Sequence, residues 1–464
     1  MVCERGGYPN LTQSLWYFGR SQGLRQGSRS VAQWGREGKL IPHYRRQCDL
    51  PRQDENKIDI LIYDIETNGL LDTLDTLHSL VIIDVTSGGT LLSYSSQDQE
   101  GLREGLRKLE EADVRIGHNS IGFDEPALAK LFPSWSPKGR VRDTLILTRL
   151  MWADIKDSDF ERKTKTGFPT KYIGSHSLAA WGHRLGNYKD DYSGGWEKWS
   201  QEMQDYCEQD VRVTYDLWKA ICKRADEWDL DILDFKPPAK KDCIQLEHDV
   251  AMITERQTRY GFPFDVPKAH ELLDTIKARH DEIKEALQKV FPPITHRVTF
   301  VPKINNRKLG YQKGVPVEKV VVSEFNPASR QQVAQRLKSL GWKPEVFTPA
   351  GQPEVSETIL DSIDLPEAKL LSEYFMLEKR IGMLSSGRNA WLKVVGPDNR
   401  IHGRVITNGA VTGRMTHTSP NLAQVPSIEN AKGKVPYGRE CRELFTASPG
   451  NVLVGCDADS LELR

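Results

Sequence analysis

The segment that most constrains this chain is Ile60-Leu61-Ile62-Tyr63-Asp64-Ile65-Glu66-Thr67, an Ile-rich apolar run ending in two acids one residue apart. A run of this length and composition reads as a buried strand. Side chains alternate along a strand, so Asp64 and Glu66 project to the same face. Two carboxylates on one face repel each other unless a cation lies between them. Hard oxygen ligands of this kind suit Mg²⁺ or Mn²⁺. An isolated D-x-E pair is more often a solvated strand end, so the rest of the chain must decide between the two.

The chain has 464 residues, enough for two to four domains, and its 38% hydrophobic and 28% charged residues are those of an ordinary globular protein. No apolar run approaches the ~18–20 residues of a membrane span, and the N-terminus lacks the apolar core of a secretory signal. The seven cysteines (Cys3, Cys48, Cys207, Cys222, Cys243, Cys441, Cys456) are scattered, with no C-x-x-C pair. Neither a zinc site nor a disulfide framework is indicated, and a reducing cytoplasm is the expected compartment. Net charge is zero, so any nucleic-acid footprint must be local.

Residues 1–55 form a basic extension. Up to Gln53, Arg5, Arg20, Arg25, Arg29, Arg36, Lys39, Arg45, Arg46 and Arg52 face only Glu4, Glu37 and Asp49. Ser30–Pro42 resembles the recognition helix and wing of a small phage-repressor helix-turn-helix, with an upstream helix about one turn too short. A flexible basic extension, or a mistaken start site, is the simpler expectation. The next region, 56–236, reads as strands at Ile58–Asp64, Leu77–Asp84, Thr90–Tyr94 and Val114–His118. Helices follow at Gln99–Ala112, Asp124–Leu131, Asp143–Trp152 and Glu197–Asp226, with a loop-rich stretch at 153–200. This pattern predicts an α/β domain with a mixed sheet. Pro237-Pro238 marks a break. Region 237–400 is mainly helical, over Cys243–Arg259, Pro267–Val290, Ser329–Leu340 and Leu365–Leu384, with a short hairpin-like insertion at 291–324. Region 401–464 reads as polar loop and strand, including a strand at Asn451–Cys456.

Three further residues bear on the opening pair. Asp124 follows a strand and starts a helix, whose partly positive N-terminus favours an ionised acid. Tyr206 and Asp210 stand at i and i+4, on one helical face. Asp64, Glu66, Asp124 and Asp210 can converge with Tyr206 beside them. Four carboxylates at one point call for two divalent ions, the arrangement suited to in-line attack on a phosphodiester. Tyr206 titrates ordinarily near ~10 and is a poor base at neutral pH, so its role is to orient the attacking water.

The segments I-Y-D-I-E-T-N, H-N-S-I-G-F-D and Y-C-E-Q-D resemble the three motifs of the DEDD 3′–5′ exonucleases, in the tyrosine-bearing branch typical of proofreading domains. The resemblance implies a ribonuclease-H-like sheet, two divalent metals (Mg²⁺ or Mn²⁺) and hydrolysis from a single-stranded 3′ end. Further on, Gly409–Thr416 and Pro420–Pro426 resemble the template-primer motif of family A DNA polymerases, and Val454–Arg464 resembles their first palm motif. Asp457 then matches the palm metal ligand, Glu462 the glutamate that selects deoxynucleotides, and Arg414 and Gln424 residues that hold primer-template DNA. Y-G-F-P-F-D from Tyr260, F-N-P-A-S-R from Phe325 and E-K-R-I-G from Glu378 resemble the phage replicative branch. Lys379 and Arg380 would follow the DNA backbone from a thumb helix. Phe160, Lys163, Lys165, Phe168, Lys171, Tyr172, Trp196 and Trp199 are candidates for a single-strand channel.

The resemblance thus implies an α/β exonuclease domain, a mainly α thumb and the start of an α+β palm, in a replicative enzyme of the host-cell cytoplasm. The insertion is shorter than that branch's thioredoxin-binding loop, which argues against thioredoxin dependence. With no fingers helix or second palm carboxylate after Arg464, the sequence reads as a fragment, or as half of a split enzyme whose second chain carries the rest. A stand-alone 3′–5′ nuclease and a DNA-binding regulator acting through residues 1–55 are the rival readings.

Overall fold

The computed structural model describes residues 58–189, 192–233, 243–431 and 433–456. The basic segment 1–55, the Pro237-Pro238 break and the stretch carrying Asp457, Asp459 and Glu462 lie outside the described residues.

β1 (Ile60–Thr67) is the middle strand of a five-stranded mixed sheet. β2 (Leu77–Asp84) and then β3 (Thr90–Ser95) pair antiparallel on one side, while β4 (Val114–Gly117) and then β5 (Arg140–Asp143) run parallel on the other. Helices cover both faces. Leu61, Tyr63 and Ile65 pack with Leu102, Leu106 and Leu109 of α1 (Gln99–Glu111) and with Leu128 of α2 (Asp124–Leu131). Ile60 and Ile62 pack on the opposite face. Their partners are Leu147 of α3 (Thr144–Met151), Trp181 of α5 (Leu178–Leu185), and Val211 and Ile221 of α6 (Gln201–Trp228). The same alternation carries Asp64 and Glu66 to the α6 side. α6 starts where the Ser200 hydroxyl accepts the Met203 N–H at 3.1 Å, four residues later than its apolar spacing suggests.

The stretch expected to be loop holds two helices, α5 and α4 (Ile155–Thr166). Only Ile155 and Asp159 of α4 are buried. The Asp159 carboxylate pairs with the buried Arg184 of α5 at 2.7 Å and accepts the Gly174 N–H at 2.9 Å. An element anchored by a buried ion pair leaves no apolar stripe for periodicity to register.

After residue 243 come α7 (Cys243–Tyr260), β6 (Phe262–Pro263), α8 (Val266–Val290), β7 (Ile294–Phe300) and β8 (Val317–Ser323). Then follow α9 (Arg330–Ser339), α10 (Glu357–Ser362), α11 (Pro366–Ile381), α12 (Trp391–Val394), β9 (Arg400–Ile401), β10 (Arg404–Ile406), β11 (Thr416–Thr418) and α13 (Gly438–Glu443). One core joins Phe264, just before α8, with Leu272 and Ile276 of α8, Leu337 of α9 and Phe375 of α11 to Ile401 and Cys441, so the residues on either side of position 400 fold together. β7 and β8 form the hairpin expected within 291–324; at its base the rings of Phe291 and Phe325 lie 4.7 Å apart. The strand expected at Asn451–Cys456 does not form. Val452 and Val454 are 81% and 86% exposed, and no strand among the described residues offers that segment a ladder. No helix among the described residues is long and apolar enough to cross a membrane.

α7 lies against the sheet domain. Arg142 of β5, fully buried, donates through Nε to the Ile232 carbonyl at 2.6 Å and through its guanidinium to Gln245 Oε1 of α7 at 3.1 Å. Beside it Ile121 and Ile146 pack with Ala251 of α7.

Candidate active site

Asp64 and Glu66 sit near the carboxyl end of β1. The ladder is irregular just beyond them. Glu66 pairs with Ser79 and Thr67 with Leu77, leaving His78 as the extra residue on β2. The His78 Nε2–H donates to the Trp196 carbonyl at 3.0 Å and so fixes the loop before α6. Asp124 opens α2 directly after the loop that leaves β4, the parallel neighbour of β1. The next residue anchors it: the Glu125 carboxylate accepts the Tyr63 hydroxyl at 2.8 Å and the Arg115 guanidinium at 3.0 and 3.2 Å. Tyr206 and Asp210 are a turn apart on α6, and Asp210 is buried. Between them the Cys207 thiol donates to the Asp64 carbonyl at 3.5 Å, joining α6 to β1.

The structure therefore gathers Asp64, Glu66, Asp124, Asp210 and Tyr206. Burial first, and the Asp210 charge second, push Asp64 up to about 8. Burial, then Asp64 and Asp210, push Glu66 up to about 9. Burial and Asp64 also hold Asp124 well above the usual carboxylate range. Burial and Asp210 raise Tyr206, which stays a neutral phenol. Ligand atoms of Asp64, Glu66 and Cys207 lie within 4.8 Å of one another. Burial keeps the Cys207 thiol protonated, so the donors on offer are hard carboxylate oxygens crowded against their own repulsion. That donor set fits divalent ions of the Mg²⁺ type.

Lys189 escaped the reading from sequence. Its ammonium donates to Asp210 Oδ2 and lies 4.5 Å from the centroid of the Tyr206 ring. Burial works to lower its pKa, and Asp210 and Asp64 more than offset that, so it remains charged. The loop is pinned to α6: Gln209 Nε2 donates to Asn187 Oδ1 at 2.7 Å and to the Tyr188 carbonyl at 2.8 Å. Tyr192 and Trp196 stand 5.6 and 6.3 Å from the Tyr206 ring. Trp196 and Phe160 are exposed, as a stacking role needs, whereas Phe168 is buried beneath Arg184 and belongs to the core.

A cleft of about 820 Å³ runs from Lys189, His118 and Arg149 to Arg404 and the Gly409–Val411 turn between β10 and β11. Arg414, whose carbonyl accepts the Ala410 N–H at 3.1 Å, is exposed, and so is Gln424. Lys379 is exposed on α11, but Arg380 is 6% exposed, with its guanidinium near the Met383 sulfur and Cys441. A phosphate cannot reach Arg380, because the helical face that carries it is the core face; this corrects the expectation for that residue.

Comparison with known proteins agrees with the C-terminal motifs. The family model "DNA polymerase family A" matches residues 312–464. The DNA-directed DNA polymerases of Escherichia phage T7 and Enterobacteria phage T3 are each 33% identical to this chain over 494 aligned positions, covering 87% of this chain and 68% of the relative. The solved POL domain of Pol1 from M. smegmatis, in complex with DNA primer-template and dNTP, superposes with a TM-score of 0.56 at 14% identity. That likeness, which concerns the fold alone, covers 85% of this chain and 55% of that one. With homology to the phage enzymes running through the sheet domain and the helical region alike, the chain belongs to the family A DNA polymerases.

Proposed function

We propose that the sheet domain is a 3′–5′ exonuclease that proofreads DNA 3′ ends for a polymerase of this family. The observation that carries this reading is the buried gathering of Asp64, Glu66, Asp124 and Asp210 around one lysine, with Tyr206 alongside. Two divalent ions held by these four carboxylates would neutralise their charge and supply the Lewis acidity for attack of water on the terminal phosphodiester. The chain's own groups do the rest. The Tyr206 hydroxyl, neutral and beside Asp210, orients a water by hydrogen bonding. Tyr192 and Trp196 offer faces on which terminal bases stack. The cleft from Lys189 to Gly409, lined by Arg149, Lys156 and Arg404, suits a single strand whose phosphates need cationic neighbours.

On the polymerase side, Arg414 and Gln424 would hold primer-template DNA, Asp457 a metal ion, and Glu462 would select the sugar. Lys379 would follow the duplex backbone.

The test uses a 3′-labelled single-stranded oligonucleotide with Mg²⁺. The wild-type chain is expected to release nucleotides stepwise from the labelled end. Asp64→Ala/Glu66→Ala should lose on the order of 10³-fold in rate or more, and chelation should abolish turnover. Hydrolysis at the wild-type rate by the double variant would overturn the assignment.

A further inference from the structure

The loop that delivers Asp124 is braced from outside the sheet domain. Asn119, the first residue after His118, has φ 63°, a left-handed conformation that asparagine tolerates better than most residues. Its N–H and that of Ile121 donate to the Asp143 carboxylate at 2.8 and 3.1 Å, and the same carboxylate caps α3 by accepting the Leu145 N–H at 2.9 Å. Asp143 in turn donates its own N–H to Nε2 of His248, on α7, at 2.9 Å. A backbone N–H can only donate, and the Ile244 carbonyl, 2.8 Å from His248 Nδ1, can only accept. His248 is therefore held as the neutral tautomer with its proton on Nδ1. A second brace comes from β10. Arg404 donates to Asn119 Oδ1 at 3.4 Å while pairing with Glu255 of α7 at 3.7 Å. The apolar contact of Ile121 with Ala251 closes the same joint.

We propose that His248 and Arg404 are positioning residues for the carboxylate site. Contributed by elements that follow residue 243, they act through Asp143 and Asn119 to set where Asp124 stands. The proposal rests on the nuclease reading given above. The effect of both side chains is to remove freedom from the six-residue loop 118–123 that leads into Asp124. Ligand sets tolerate displacements of only about 0.5 Å, so a loosened loop costs turnover and metal affinity before it costs substrate binding. Elements after residue 243 thereby gain a direct hold on the geometry of hydrolysis.

The experiment compares the full chain with His248→Ala, His248→Gln and Arg404→Ala. It reads kcat and KM on a 3′-labelled single strand and, separately, Mn²⁺ affinity without DNA by titration calorimetry. Expected for both His248→Ala and Arg404→Ala are a kcat lower by about 10-fold or more and Mn²⁺ binding weakened several-fold; KM stays within about 2-fold for His248→Ala and rises for Arg404→Ala, which also lines the strand cleft. Gln offers an amide oxygen that can accept the Asp143 N–H, so His248→Gln should recover most of both losses. Folded His248→Ala and Arg404→Ala with wild-type kcat and Mn²⁺ affinity would overturn the proposal while leaving the nuclease reading intact. If the wild-type chain fails to degrade DNA, the nuclease reading falls, and Mn²⁺ affinity still decides the bracing of Asp124. Should His248→Ala not fold, Arg404→Ala, whose side chain is 43% exposed, decides by the same two readouts.

Discussion

Glu66 and Asp64 are acids that the folded chain holds protonated when no metal ion is present. Their ordinary values of 4.5 and 3.8 rise to about 9 and about 8, through burial first and neighbouring carboxylates second. The unfolded chain would release these protons near pH ~4, so between there and pH ~9 the folded state binds more protons than the unfolded one. The stabilising contribution is therefore complete below about pH 4 and is lost as pH rises through 8 to 9. In chelator, the melting temperature of the wild type should fall between pH 6 and 9 by several degrees more than that of Asp64→Asn/Glu66→Gln, as scanning calorimetry would show. Added Mg²⁺ should remove most of that difference. Equal slopes for the two proteins would mean that the carboxylates are not crowded. Lys189 limits this penalty, yet nothing in the string around it singles it out. Its neighbours carry no periodic pattern, and its importance arises only when Asn187 and Tyr188 dock on Gln209 of α6.

At the scale of elements, the β7–β8 hairpin is the part of the helical region least involved in its core. Val320 and Val322 are 66% and 62% exposed, and the closed ring contact of Phe291 with Phe325 leaves the hairpin outside the packed residues. Replacing residues 294–323 by a short glycine-serine linker should change stability by no more than about 1 kcal/mol in denaturant titration, because little apolar surface changes its solvent contact. A loss of several kcal/mol would show that the hairpin is part of the fold. This element was legible as an insertion because Pro and Gly bracket its valine-rich runs. β1 was legible as an apolar run of strand length, and α1 and α8 because apolar residues recur along them at helical spacing. α4 was not, since a buried Asp159–Arg184 pair replaces its apolar stripe. Asn451–Cys456 misled because an apolar run states only that a strand is affordable, and the ladder must come from elsewhere. That Asp64, Glu66, Asp124, Tyr206 and Asp210 come together was readable from spacing and acid type. Arg380 was not, because one position along α11 separates the exposed face of Lys379 from the core.

In the molecule as a whole, the sheet domain and the helical region meet along α7. Arg142 is the polar centre of that meeting, with the Ile232 and Leu233 carbonyls and Gln245 as its acceptors. Arg142→Ala would take a donor from the buried Ile232 carbonyl and from two half-buried acceptors, a loss of roughly 3 kcal/mol. The expected readout is a lower first transition in calorimetry and earlier proteolytic release of the sheet domain; an unchanged melting profile would argue against α7 as the joint. The seam between the two regions does not follow the order of the chain. α7 begins only at Cys243, yet its His248, Gln245 and Ala251 complete the far side of β5 and the loop before Asp124. Any exchange of segments between related genes would therefore separate partners if it crossed over just ahead of Cys243, and would keep them together if it crossed after Tyr260. The unit of inheritance for this sheet domain is the sheet together with the first helix of its neighbour.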